Sequence, residues 1–171
     1  MRRKDREIRD FKEIIHIIEK CDVCRLAIQD EPYPYIVPLN FGMQIIKEQI
    51  YLYFHCANEG TKLDLLKKNN RVSFEMDTDH CFILYEDRMS CTMGYESVIG
   101  HGIIEKITDP QEKYEGLKIL MRHYHSEDFK FNEKMIPATT VLRLRVLDLT
   151  GKRRDNYHAE EKKKKFLALY T

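Results

Sequence analysis

The chain has 171 residues and a mass of 20.5 kDa, the size of one domain, which buries ~70% of the surface that its unfolded chain exposes. Its hydrophobic fraction of 43% and charged fraction of 33% exclude an intrinsically disordered chain. The net charge of +1 does not provide the excess of positive charge that is typical of general nucleic-acid binding. No apolar run reaches the ~18 residues of a membrane span. We expect a soluble cytoplasmic protein, because the first residues also lack the apolar core of an export signal.

The five cysteines form an odd set, which favours reduced thiols. Cys21 and Cys24 spell C-x-x-C, but no second ligand pair follows at the spacing of a structural zinc site. The pair closes a helical pattern instead of opening a helix after a strand, which argues against a thioredoxin-like motif. We expect buried thiols at these positions and no metal site.

The first elements are a helix and a hairpin. Asp10 predicts the cap of a helix that ends near Lys20. Two alternating segments, Val23–Gln29 and Tyr33–Gly42, then predict a hairpin. Because proline cannot donate to a strand ladder, the two prolines of the second strand predict an unpaired side that something other than a strand can use.

The remaining pattern predicts more strands and two more helices. The strand Ile50–His55 has an apolar face and an aromatic, polar face that ends at His55. Further along the chain, Gly100 and Gly102 predict a bulge or a close backbone approach. The other elements are a short helix from about Thr61 to Asn69, strands Arg71–Asp77 and Met93–Ile107, a stretch at 81–85 that prolongs the sheet, a helix capped by Asp109, and a last strand Thr139–Leu149. This order predicts an α+β domain whose antiparallel sheet closes into a small barrel.

The most specific local pattern is the segment HCANEGTK at residues 55–62. A helix start offers free N–H groups and a partial positive charge, Gly60 admits a close ligand, and Lys62 adds a full charge. These features suit a phosphate, although the segment is not a Walker A loop. From these residues alone, an ordinary helix cap with a solvated lysine stays an open alternative.

A family resemblance extends this interpretation. The segments YIVPLNFG, YFHCANEGTK, NNRVSFEMD, YESVIGHG and LDLTGKRR resemble, in this order, those of the Nim-type 5-nitroimidazole-resistance proteins, flavoproteins of the pyridoxamine 5'-phosphate oxidase-like superfamily. The resemblance covers residues 1–154 and leaves 155–171 as a charged tail or short helix. It implies a single FMN-binding split β-barrel domain, mainly antiparallel with peripheral helices, that forms a homodimer with FMN at the subunit interface.

The resemblance also implies the site residues. Thr61 and Lys62 match the pair that grips the FMN phosphate, and Ser97 stands where the oxidases place a glutamine on the flavin ring. The oxidases carry an arginine in place of Thr61 and a C-terminal tryptophan, and because this chain has no tryptophan, we do not expect oxidation of pyridoxine phosphate. The other matching positions are His55 and Cys56 at the end of one strand, and Ile36, Val37, Pro38, Leu39, Asn40 and Phe41 along the edge of the isoalloxazine ring.

The implied function is that of an FMN-dependent reductase of small electron-poor molecules such as nitroimidazoles. His55 matches the histidine that faces the flavin, and as a hydrogen-bond donor it could polarise a nitro group as the catalytic residue. A role for His55 in positioning the phosphate or the ring stays open. Two other functions also stay open: a flavin carrier or sensor without turnover, and a heme binder on the same barrel.

Overall fold

The fold is described from a computed structural model, over residues 3–126, 128–132 and 134–154. The predicted tail at 155–171 lies outside the described residues, and the domain boundary at residue 154 stays a prediction.

The described residues form three α-helices and eight β-strands. The helices are α1 (Phe11–Lys20), α2 (Thr61–Lys68) and α3 (Pro110–Tyr124). The strands are β1 (Glu7–Ile8), β2 (Cys24–Ile28), β3 (Tyr35–Leu39), β4 (Gly42–Ile46), β5 (Gln49–Ala57), β6 (Arg71–Tyr85), β7 (Ser90–Ile107) and β8 (Thr139–Arg154).

All the strand pairs are antiparallel, in the order β3-β2-β6-β7-β8-β5-β4, with β1 paired to the end of β8. This sheet, with helices at its periphery, is the α+β split barrel that the sequence predicts. The register shifts between His101 and Gly102, where a Cβ on Gly102 would lie 2.6 Å from the carbonyl oxygen of Arg145. The predicted bulge and close backbone approach are therefore confirmed.

The first helix and the hairpin also form as predicted. The carboxylate of Asp10 accepts the backbone N–H groups of Lys12 and Glu13, which caps α1. Strands β2 and β3 pair from Cys24–Leu39 to Ile28–Tyr35, and β3 is an edge of the sheet. An edge position provides the unpaired side that the prolines predict.

The predicted strand Tyr33–Gly42 is wrong at both ends. Tyr33 lies outside β3 and is 79% exposed, and β3 ends at Leu39. Phe41 leaves the strand because its ring is buried in the core and its N–H donates to the Tyr124 hydroxyl. Gly42 then opens β4, a strand that the sequence reasoning missed, and β4 pairs with β5 through a turn at residues 47–48.

Two hydrophobic clusters hold the fold. The main cluster includes the fully buried rings of Phe41, Phe54 and Phe74. A second cluster lies between α3 and the other face of β5 and β8, and its buried members are Tyr53, Ile107, Leu117, Ile119 and Val141. Both faces of β5 are therefore covered over part of its length.

Helix α3 approaches β4 backbone to backbone at Gly42. A Cβ on Gly42 would lie 2.5 Å from the carbonyl oxygen of Ile119 and 2.6 Å from the Cα of Leu120. No side chain fits in this gap, because both neighbours are main-chain atoms of a packed helix. Glycine at position 42 therefore sets the distance between α3 and the sheet.

Charged side chains join α1 to the sheet. The Glu96 carboxylate, 9% exposed, accepts hydrogen bonds from Lys20 and Arg153. Lys20 also binds Asp79 at 2.5 Å, and Arg153 binds Glu13 at 2.7 Å. Each cation thus bridges two carboxylates, and the network fastens α1 to β6, β7 and β8.

The predicted burial of the C-x-x-C thiols is confirmed. Cys21 and Cys24 are 1% and 0% exposed, and all five cysteines are free. Burial raises the pKa of the Cys21 thiol to about 12 and also raises that of Cys24. Within the described ranges, no helix has the length and apolar character needed to cross a membrane.

Replacing Gly42 with alanine tests the contact between α3 and β4. We expect Gly42→Ala to lower the free energy of unfolding by about 3 kcal/mol, because the new methyl group meets rigid backbone. Chemical denaturation measures this loss. Gly116→Ala is the matched comparison in the same region: a Cβ there would meet side chains, at 2.9 Å for Val141 and 3.1 Å for Tyr53, which can shift, and alanine favours a helix over glycine by ~1 kcal/mol, so we expect a smaller loss. Equal stability of Gly42→Ala and the wild type would contradict the contact.

Thiol labelling tests the burial of the cysteines. At pH 8 a thiol with a pKa of about 12 is only about one part in ten thousand thiolate, and access to it is also blocked. We expect brief alkylation of the native protein to modify the exposed Cys91 and to spare Cys21 and Cys24 until denaturant is added. Peptide mapping by mass spectrometry identifies the sites, and early modification of Cys21 or Cys24 would refute the assignment.

Candidate functional site

The end of β5 presents consecutive side chains to opposite faces of the sheet. Side chains alternate along a strand, so Cys56 shares the main-core face with Phe54, and His55 shares the outer face with Tyr53. In the ladder, His55 pairs with Val141 of β8, and Cys56 pairs with Thr140. Two different environments therefore meet at this strand end.

On the outer face, His55 lines a cavity of about 220 Å³ between the sheet, α3 and the segment that precedes β8. The imidazole is exposed to this space. Asn132 and Thr139 are the other polar residues of the lining. The apolar residues of the lining are Leu117, Leu120, Met121, Phe131, Met135 and Ile136.

On the main-core face, Cys56 lies beside cationic side chains. Burial raises the pKa of the Cys56 thiol, while the ammonium groups of Lys62 and Lys106 act in the opposite direction. Lys62 does so partly through a hydrogen bond with the thiol. The lysines at the start of α2 and at the end of β7 therefore both lie near enough to act on the Cys56 thiol.

A third lysine belongs to this group, and we call Lys62, Lys106 and Lys113 the lysine cluster. Burial and the like charge of Lys106 lower the pKa of the Lys113 ammonium. In the described part of the chain, no carboxylate forms an ion pair with any of the three lysines. These lysines also have no interaction there beyond the effects on the pKa values of Cys56 and Lys113. Lys62 and Lys106, which both act on the Cys56 thiol, thus provide positive charge that no described carboxylate pairs with, and such charge favours the binding of an anion.

The start of α2 adds uncapped backbone donors. Gly60 is the N-cap residue, with a φ of 129°, and it provides no side-chain acceptor for the first N–H groups of the helix. Thr61 is the first helical residue and is exposed. The half-buried Lys62 follows it, so backbone donors and an ammonium lie together as the phosphate prediction requires.

The predicted ring-binding segment runs along β3 and ends just before β4, the strand that pairs with β5. Val37 and Leu39 pack against the same core cluster as Cys56, whereas Ile36 is 65% exposed and Pro38 is also exposed. The Asn40 side chain donates to the carbonyl of Asp22 at 3.3 Å. Phe41 contacts the His123 ring with a centroid distance of 4.5 Å. Asn40 and Phe41 lead into Gly42, which pairs with Tyr53 of β5.

Ser97 lies apart from the other predicted residues. It is on the outer face of β7, between Asp77 of β6 and Lys152 of β8. His55 is beside the C-terminal end of β7, because Val141 pairs with both His55 and Ile107. At ~3.3 Å per residue, this separation is about 30 Å along the strand.

Sequence reasoning missed several residues of this region. Lys106 and Lys113 have no local motif, and only the pairing of β7 with β8 brings Lys106 towards Cys56. The cavity residues Phe131, Met135 and Ile136 come from a segment without a regular hydrophobic period. The alternation along β5, in contrast, was readable and places His55 opposite the core.

Comparison with known proteins agrees with this architecture. Residues 10–153 match the family described as pyridoxamine 5'-phosphate oxidase. A crystal structure of a candidate 5-nitroimidazole antibiotic resistance protein from Bacteroides thetaiotaomicron is 34% identical, with a TM-score of 0.76 and 86% of each chain covered. No curated protein is significantly similar to the chain.

Two more distant structures share the fold. The flavocytochrome Anf3 from Azotobacter vinelandii is 17% identical, with a TM-score of 0.75 over 91% of this chain and 72% of that one. The FAD and heme binding protein from Mycobacterium smegmatis is 15% identical, with a TM-score of 0.73 over 88% and 74%. The family match and the Bacteroides structure carry the assignment: the chain belongs to the pyridoxamine 5'-phosphate oxidase-like family of split-barrel proteins, as the order of its segments predicts.

Proposed function

We propose that this protein is an FMN-dependent reductase of small electron-poor molecules such as nitroimidazoles. The lysine cluster beside Cys56 and the start of α2 carries the proposal, because it offers an anion site where the family resemblance expects the FMN phosphate. The similarity to a candidate 5-nitroimidazole resistance protein and to flavin-binding split barrels supports it. Bound FMN supplies hydride-transfer chemistry, and the protein holds and orients it.

The phosphate would bind at the start of α2. Lys62 and the first N–H groups of the helix are the primary donors, and Lys106 adds a second cation from β7. The oxidases of the superfamily use an arginine where this chain has Thr61. Lys106 supplies a comparable charge from another element, so the missing arginine does not leave the site with a single cation.

His55 is the proposed catalytic residue. It opens onto a cavity with apolar walls, and an imidazole N–H there can donate to an oxygen of the substrate's nitro group. Cys56, on the opposite face, is partly buried and interacts with Lys62, so we assign it to the phosphate side. Ile36 to Phe41 would contact the edge of the flavin ring, with the unpaired side of β3 free for the ligand.

We propose a homodimer with FMN at the interface. Ser97 is ten residues from the end of β7 where His55 lies, about 30 Å along the strand. A flavin bound between two subunits can contact His55 of one subunit and Ser97 of the other. The free cysteines fit a reducing cytoplasm.

Replacing Lys62 tests the phosphate site. The purified protein should be yellow with about one FMN per chain, and Lys62→Ala should weaken FMN binding ten- to a hundred-fold, since such charge-assisted contacts are worth ~1.5–3 kcal/mol. Fluorescence titration of FMN measures the change. Lys67→Ala is the matched control, because Lys67 lies in the same helix but pairs with Asp64. If Lys62→Ala binds FMN with wild-type affinity, the assignment of the phosphate site is wrong.

Replacing His55 separates catalysis from cofactor binding. We expect His55→Ala to lower kcat for nitroimidazole reduction by about a hundredfold or more, with a much smaller change in FMN affinity. Anaerobic mixing with NAD(P)H and a nitroimidazole measures turnover, and His16→Ala, at an exposed position of α1, is the control. A wild-type protein that binds FMN but is not repeatedly re-oxidised would instead be a carrier or sensor.

A further inference from the structure

The cavity at His55 is lined mainly by apolar side chains. Its lining, within the described residues, contains no Asp, Glu, Lys or Arg. A carboxylate or phosphate placed there would lose part of its hydration, and the described lining offers no Lys or Arg in return. Lys62 and Lys106 act on Cys56, on the opposite face of β5, and Lys113 is not among the lining residues.

One wall of the cavity is aromatic and fixed in place. The Phe131 ring contacts the Tyr114 ring edge-on with a centroid distance of 5.8 Å, and the Phe129 ring at 5.1 Å. Such edge-to-face contacts restrict ring orientation. Met121 and Met135 also line the space, and their flexible side chains can adjust to ligands of different outline.

The cavity volume limits the ligand. An engineered cavity of ~150 Å³ binds benzene, whereas sites for drug-sized molecules have ~300–1,000 Å³. The 220 Å³ available here therefore matches one substituted ring, and any larger ligand would extend out through the open side. The substituent that approaches His55 would be a hydrogen-bond acceptor, because an imidazole N–H can donate to it.

We propose that this cavity binds a neutral, single-ring molecule that carries one acceptor group, with the ring against Phe131 and the acceptor at His55. The identity of this ligand as the substrate rests on the proposed function, whereas its binding does not. The proposal defines the substrate class: uncharged single rings enter, and their carboxylated or phosphorylated analogues do not.

Tryptophan fluorescence tests the binding, because the chain has no tryptophan of its own. Phe131→Trp places a reporter in the cavity wall, and Met89→Trp places one on a residue that is 95% exposed, as the matched control. We expect nitrobenzene to quench Phe131→Trp saturably and Met89→Trp only linearly. Benzoate should compete at least about tenfold less well, because it carries a charge into the apolar space.

A second variant tests the contact with His55. His55→Ala should weaken nitrobenzene binding about three- to tenfold, the worth of one hydrogen bond, and leave toluene binding unchanged. Saturation-transfer NMR on the wild-type protein measures both ligands without any change to the cavity wall. It also provides the measurement if Phe131→Trp does not fold.

The outcomes separate the two proposals. Linear quenching in both tryptophan variants, or saturation transfer to benzoate equal to that of nitrobenzene, overturns the cavity assignment even if FMN binds through Lys62. Saturable nitrobenzene binding in a protein that takes up no FMN upholds the cavity and overturns the reductase.

Discussion

The approach of α3 to the sheet at Gly42 is the constraint on which the site geometry depends. Main-chain atoms of Ile119 and Leu120 fill the place of a side chain there, and Gly116 lets the same helix approach Val141 and Tyr53. Because neither glycine has a side chain, the helix can lie close to β4, β5 and β8. With the helix at this distance, the outer face of β5 is covered as far as Tyr53 and open at His55, which is where the cavity forms.

Much of the fold was predictable because its signals are local. Asp10 and Asp109 both cap helices as their spacing indicates, and alternating residues predicted the strands. Strand β4 was missed because Gly42–Ile46 continues an apolar segment, and its break comes from tertiary contacts of Phe41 with α3. The turn after β4 was also hidden, since Lys47 and Glu48 adopt positive φ angles that favour glycine or asparagine.

The site was predictable only where neighbours in sequence are neighbours in space. Residues 55–62 form one strand-to-helix junction, so their chemistry could be read together. Lys106 and Lys113 join them through strand pairing and helix packing, which leave no mark in the local sequence. Ser97 shows the converse: the resemblance assigns it a role at the flavin ring, but its position inside β7 separates it from His55, which lies beside the C-terminal end of that strand.

The proline of β3 has a consequence for association between molecules. Pro38 lies on the edge strand β3 opposite Arg25, and its nitrogen has no hydrogen to donate. In a strand of only five residues this leaves at most four backbone donors, so β3 is a poor template for a strand arriving from another molecule. Fibril-like growth by edge addition is thereby discouraged at β3, while its carbonyl groups stay available to smaller ligands.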